Sequence, residues 1–122
     1  MTQYEYARKG TITRRMKEAA ANEPCTPEFM RAEVASGRAI IPANMLHKRL
    51  KAAAVGANLR CKINANIGNS SEESGIRSEI CKLKTAVKYG ADAVMDLSTG
   101  KNTDAVRKAV IAHSAVPVGT VP

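Results

Sequence analysis

The chain has 122 residues, 44% hydrophobic but only 3% aromatic, with no Trp and a single Phe, Phe29. That is enough for one domain with a modest core, and the core must come from Ala, Val, Ile, Leu and Met, which suits helices packed on a buried sheet better than an aromatic-rich β-sandwich. No apolar run approaches the length of a membrane span, and the first residues, Met1 to Tyr6, lack the apolar stretch of a signal peptide.

The net charge of +8 is uneven. Residues 1–62 carry 12 Lys/Arg against 5 Asp/Glu, and residues 63–122 carry 7 against 6. The excess is densest at Lys48, Arg49, Lys51, Arg60 and Lys62, with no acid among them. Two readings stay open: an anionic partner, or a solvated basic face. No aromatics interleave with these charges, so a base-stacking platform has no support and nucleic acid is not expected as the partner. The cysteines, Cys25, Cys61 and Cys81, are separated by 36 and 20 residues. No CxxC pair is present, so neither a zinc nor an iron–sulfur site is written in this stretch. Reduced thiols and a cytoplasmic location follow as the default expectation.

In chain order, the first predicted helix is capped by Thr13 and runs to about Asn22, with Met16, Ala19 and Ala20 on one side, and Pro24 ends it. Thr26-Pro27-Glu28 is a strong start signal for the next: a capping hydroxyl, a proline where no intrahelical bond is lost, and an acid at the positive end of the dipole. Phe29, Met30, Glu33 and Val34 follow, and Gly37 suits a left-handed terminus. Ala39 to Pro42 reads as extended, and residues 43–58 as a basic, Ala-rich connection.

From residue 59 the pattern changes. Leu59 to Ile67 reads as a strand ending at Gly68-Asn69-Ser70. Ser70 and Glu73 have capping-box spacing, and Ile76, Ile80, Leu83 and Val87 then recur as one helical face. Glu72, Glu73 and Glu79 lead this helix, while Lys82, Lys84 and Lys88 close it, matching the macrodipole. Gly90 ends it. Ala93 to Leu97 reads as a short buried strand, Ser98 to Asn102 as a turn, Thr103 to His113 as a helix with Val106, Val110 and the Ala109/His113 pair spaced along it, and Val116 to Val121 as a third strand in which Pro117 is tolerable. Two domains are therefore expected: an amino-terminal helical segment with its basic connection at 1–58, and an α/β unit at 59–122. The order β–α–β–α–β is that of parallel crossover units, and both a doubly wound sheet and a (β/α)₈ barrel remain open. A barrel needs roughly 250 residues, and a final parallel strand at Pro122 would leave unpaired backbone groups. The chain thus reads as an interrupted fold.

Five stretches stand out: Ala7-Arg-Lys-Gly-x-Ile-Thr13, Gly37-Arg-Ala-Ile-Ile-Pro-Ala-Asn44, Lys62-Ile-Asn-Ala-Asn-Ile-Gly-Asn-Ser70, Gly90-Ala-Asp-Ala-Val-Met-Asp-Leu-Ser-Thr-Gly100 and Pro117-Val-Gly-Thr-Val-Pro122. In order and spacing they resemble the phosphomethylpyrimidine synthases of thiamine biosynthesis, over essentially the whole chain. The resemblance implies the first three strands of a (β/α)₈ TIM-type barrel, preceded by a small helical amino-terminal segment. It implies a radical lyase that converts aminoimidazole ribotide to hydroxymethylpyrimidine phosphate with S-adenosylmethionine, a 4Fe-4S cluster and zinc, acting as a homodimer. It also implies that the cluster cysteines and metal-binding histidines belong to later parts of the family enzyme, so that this stretch binds no metal and by itself is inactive.

By motif position the resemblance makes Asn66 and Met95 substrate contacts, and it assigns no catalytic residue to this stretch. An amide offers donors and an acceptor without charge, and a thioether offers a polarizable apolar surface to a planar ring. A plainer reading stays beside it: Asn66 holding the Ile67–Asn69 turn, and Met95 as core. Asn64 shares a face with Asn66 by alternation and is a supporting candidate. So are Asp96 and Ser98 near the same rim, with the Asp96 carboxylate expected to accept amides of the Ser98–Gly100 turn. His47 is expected to be hydrogen-bonded and His113 to be structural at a helix end. Three functions compete: a segment of the synthase, a non-catalytic product that covers its open strand by self-association, and, on charge alone, a nucleic-acid module, which lacks any groove-reading helix.

Overall fold

The computed structural model describes residues 1–70, 75–99 and 102–121. They form two compact units, one of residues 1–43 with 51–61 and the other of residues 44–50 with 62–122. The linear division expected after residue 58 is thus interleaved in the structure. Residues 44–50 join the second unit because His47, 5% exposed, donates from Nε2 to the Ser114 carbonyl at 2.8 Å, and Leu50 is buried nearby in sequence.

The first unit is helical. It holds α1 (Gln3–Arg8), α2 (Arg14–Asn22) and α3 (Pro27–Ala35). Each begins on a threonine whose hydroxyl accepts an otherwise orphan amide: Thr2 from Glu5, Thr13 from Met16 and Thr26 from Phe29. The Thr2–Glu5 pair is a full capping box, so α1 forms where no periodic pattern announced it. Ala7, Met16, Ala19, Ala20, Met30, Val34, Ile41, Ala52 and Ala54 make the core. A two-stranded antiparallel ladder, β1 (Ala39–Ile40) with β2 (Val55–Gly56), closes the unit and gives structure to the connection after residue 43. Gly56 is obligatory there, because a Cβ would sit 2.6 Å from the Arg38 carbonyl oxygen.

The second unit is a three-stranded parallel sheet in the order β3 (Asn64–Ile67), β4 (Ala93–Asp96), β5 (Val118–Thr120). The crossovers are α4 (Ile76–Lys88) and α5 (Thr103–His113). Ile67 and Val94 from the sheet pack with Leu83, Val106 and Val110 from the helices, flanked by Ala65, Ala86, Val87, Val116 and Val118. The mixed α/β class and the helical leading segment are as the residue pattern implied. β3 is shorter than the expected strand from Leu59. The Arg60 amide is taken by the Glu23 carboxylate at 2.8 Å, and Leu59 packs on the first unit's core, so that stretch is not available to a ladder. α4 starts on Gly75, which offers no side-chain cap. Ser70 lies before that start, and Glu72 and Glu73 lie outside the described residues, as do Gly100 of the expected turn and Pro122.

Candidate functional site at the carboxyl rim of the sheet

Side chains alternate along a strand, and here one face goes to the core while the other stays open. On β3, Ala65 and Ile67 point to the helices and Asn64 and Asn66 are exposed. On β4, Val94 is fully buried among the helices, and Ala93 and Met95 are half-buried. The parallel register sets Asn66 opposite Met95 and Met95 opposite Gly119. Asn66 and Met95 are therefore adjacent on one face. A Cβ on Gly119 would lie 3.5 Å from the Met95 methyl, so the missing side chain leaves the thioether room to lie across the sheet. Asn64 Nδ2 donates to Asn66 Oδ1 at 2.9 Å. One end of the Asn66 amide is thereby held, and its other end can meet a ligand.

Asp96 and Ser98 are brought together, but not on that face. Asp96, one residue past Met95, points the opposite way and is 0% exposed. Its Oδ1 accepts the Ser98 amide at 3.0 Å and the Ser98 hydroxyl, which is the turn-holding role expected of it. Its Oδ2 lies 3.6 Å from Arg107 Nε. Ser98 Oγ in turn accepts the Asn69 amide at 3.1 Å.

Two clefts open at the strand ends. One, of about 440 Å³, is lined by Asn66 to Ser70 with Lys82, Leu97 and Thr99. The other, of about 280 Å³, lies among Leu97, Ser98, Thr99, Arg107 and Val121. Gly68 makes the first possible: at φ 155° its Cα passes so close to β4 that a Cβ would meet the Leu97 carbonyl carbon and Ser98 nitrogen at 2.7 Å. Lys82 supplies a cation, its Nζ donating to Glu79 Oε1 at 2.7 Å and to the Gly68 carbonyl at 3.2 Å.

Arg107 is not singled out by the sequence, and Lys82 reads there as a base closing its helix. Arg107, the fifth residue of α5, leaves no local signal of its partner. His113 bonds the Ala109 carbonyl within its own helix at 2.8 Å. Cys25 sits half-buried, and burial, with the Glu23 charge, pushes its thiol up; Cys61 and Cys81 are exposed and free. Among the described residues no cluster of three or more His, Cys, Asp or Glu could hold a metal, and no helix is long and apolar enough to cross a membrane.

A profile of the Radical SAM ThiC family matches residues 2–122. The chain belongs to that family. It is also 54% identical, over all 122 of its residues, to a phosphomethylpyrimidine synthase of Haloarcula marismortui. It spans about a quarter of that relative's length. The radical SAM designation implies S-adenosylmethionine and a 4Fe-4S cluster for the complete family enzyme. The described residues of this ThiC-family chain do not fit the cluster: two cysteines fall in the first unit and one in the second, with no shared donor set.

Proposed function

We propose that this chain forms the first wall of the substrate mouth of a phosphomethylpyrimidine synthase, with Asn66 and Met95 contacting aminoimidazole ribotide. The observation that carries the reading is their adjacency: an amide with one end held by Asn64, directly across from a thioether lying over Gly119. Asn66 orients the polar edge of the imidazole without adding charge. Met95 gives its ring an apolar, polarizable bed. Sheet order β3-β4-β5 without a reversal, with both crossover helices packed against the same sheet face, supports the start of a (β/α)₈ barrel whose interior is the open face. In a barrel the ligand binds at the carboxyl ends of the strands, where both clefts lie.

In this reading the enzyme is a cytoplasmic homodimer in thiamine biosynthesis, a lyase that makes hydroxymethylpyrimidine phosphate. Its cluster and zinc would be held by ligands other than those described for this chain, and the cluster with S-adenosylmethionine would supply the radical chemistry. The residues of this chain bind and orient; none is assigned a bond-making role.

The test is calorimetric titration of the protein, as its gene encodes it, with aminoimidazole ribotide. Asn66→Ala removes a neutral hydrogen bond and weakens binding about tenfold, about 1.4 kcal/mol. Ribotide affinity unchanged in Asn66→Ala overturns the assignment.

A further inference from the structure

A continuous polar chain runs behind the open face, across the carboxyl ends of all three parallel strands. It starts at Asn69, two residues past β3, whose amide donates to Ser98 Oγ at 3.1 Å and whose carbonyl accepts the Thr99 amide at 3.1 Å. Ser98, 4% exposed, donates a hydrogen bond from its hydroxyl to the Asp96 carboxylate at the end of β4. Asp96 faces the Arg107 guanidinium from α5, and Arg107 Nη2 donates to the Val121 carbonyl just past β5 at 3.1 Å.

Within the parallel ladder the strands are already in register through Asp96↔Thr120. Past that point backbone bonds from Leu97 to Ile67 and from Thr99 to Asn69 still join the ends of β3 and β4, while toward β5 the link among the described residues is the Asp96–Arg107–Val121 side-chain chain. The Ser98 hydroxyl–Asp96 bond is charge-assisted and of the stronger kind, whereas Arg107 Nε and Asp96 Oδ2 at 3.6 Å form an ion pair without a hydrogen bond; a buried carboxylate needs such a compensating cation. Among the described residues Asp96 Oδ2 has no hydrogen-bond donor, so compensation at that oxygen falls to Arg107.

We propose that Asp96 and Arg107 are positioning residues of the substrate site: the Asn69–Ser98–Asp96–Arg107–Val121 chain fixes the spacing of the three strand ends, and thereby the distance at which Asn66 and Met95 meet the ligand. The proposal rests on the ribotide reading above. The guanidinium is suited to the task because its fixed fork reaches two partners at once, the carboxylate on one strand and the carbonyl on the next. A lysine preserves the charge opposite Asp96 but has a single point of attachment and releases the end of β5.

The decisive variant is therefore Arg107→Lys, in the protein as its gene encodes it. It is expected to stay folded by circular dichroism and to melt near wild type. It is also expected to bind aminoimidazole ribotide five- to tenfold more weakly, and the Asn69, Ser98 and Thr99 amides should exchange with solvent about tenfold faster, while those of Val94 and Val110 are unchanged. A residue with only a structural role would lose stability without this separation. Should the lysine variant fail to fold, the Asp96→Asn/Arg107→Met double variant removes both charges together, leaves no orphaned ion, and is read in the same way. A folded variant with wild-type affinity and wild-type rim exchange overturns the proposal. Asn66→Ala separates the two readings. If its affinity is also that of wild type, the ribotide assignment is what fails, and rim exchange alone then decides for or against the brace.

Discussion

In the helical unit the polar side chains finish local structure. Thr2, Thr13 and Thr26 each close a helix start, and Glu33, 2% exposed, takes Arg38 at 2.6 Å and Asn58 at 3.0 Å. In the sheet unit the open face keeps Asn64 and Asn66 exposed and Met95 half-buried, and Asn64 bonds Asn66. The difference teaches where to look for chemistry: a polar group absorbed by a cap or an ion pair is accounted for, whereas an amide whose partner among the described residues is another amide on an exposed sheet face is not. The carboxyl rim lies between these extremes, since Asp96 and Ser98 are buried and bonded to each other, while Ser98 and Arg107 line the smaller cleft.

The largest effect expected from breaking this contrast is at the buried face. Leu83, 1% exposed at the centre of the second core, should cost about 3 kcal/mol on truncation to Ala, the usual transfer and cavity loss. Met95→Ala, on the open face of the same sheet, should cost about 1 kcal/mol or less. Denaturant unfolding of both variants measures the gap, and equal losses would mean that Met95 is core. Next in size is Gly68→Ala. Its φ of 155° and the 2.7 Å approach to the Leu97 and Ser98 backbone leave no room for a methyl group, so about 2 kcal/mol of destabilisation is expected. Because the same turn shapes the 440 Å³ cleft, ribotide affinity should fall with it. A Gly68→Ala protein with wild-type midpoint and affinity would show that the close passage of the two strand ends is dispensable.

How much of this could be read beforehand follows the strength of local signals. α5 runs over Thr103–His113 and α4 over Ile76–Lys88, where apolar spacing, leading acids and closing bases all agree. α1 carries only one buried residue, Ala7, so it has a cap but no period. The two-residue strands β1 and β2 are too short for alternation to register. Leu59 to Ile63 looked like strand because alternation does not reveal that the Arg60 amide bonds Glu23, 37 residues away. At the candidate site the common face of Asn64 and Asn66 was legible from the pleat. That Met95 stands across from Asn66, and that Asp96 turns away, needed the inter-strand register. Arg107 joins Asp96 and Val121 across 11 and 14 residues, beyond any local pattern.

The smallest expected effect sharpens the other side of the comparison, the claim that the helical unit's carboxylate serves stability alone. The Arg38 guanidinium, first by hydrogen bonding, holds the Glu33 carboxyl below the usual range; burial opposes this, and the Asn58 amide adds to it. A carboxyl whose folded value is depressed stabilises the fold fully above its unfolded value, near 4.5. That contribution is lost as pH falls through the lower folded value. Between pH 7 and 5 the denaturation midpoint of the helical signal should therefore be flat on this account, and below about pH 4.5 it should decline. Glu33→Gln keeps the shape and can still accept from Arg38 and Asn58, but it has no proton to take up, so its decline should be shallower over the same acid range. Added salt should narrow the difference between the two proteins, because the Arg38 side chain is 55% exposed and its charge is partly screened. Identical acid profiles for the wild type and the Gln variant would detach Glu33 from the pH response, and with it the claim that this buried acid is accounted for by its ion pair.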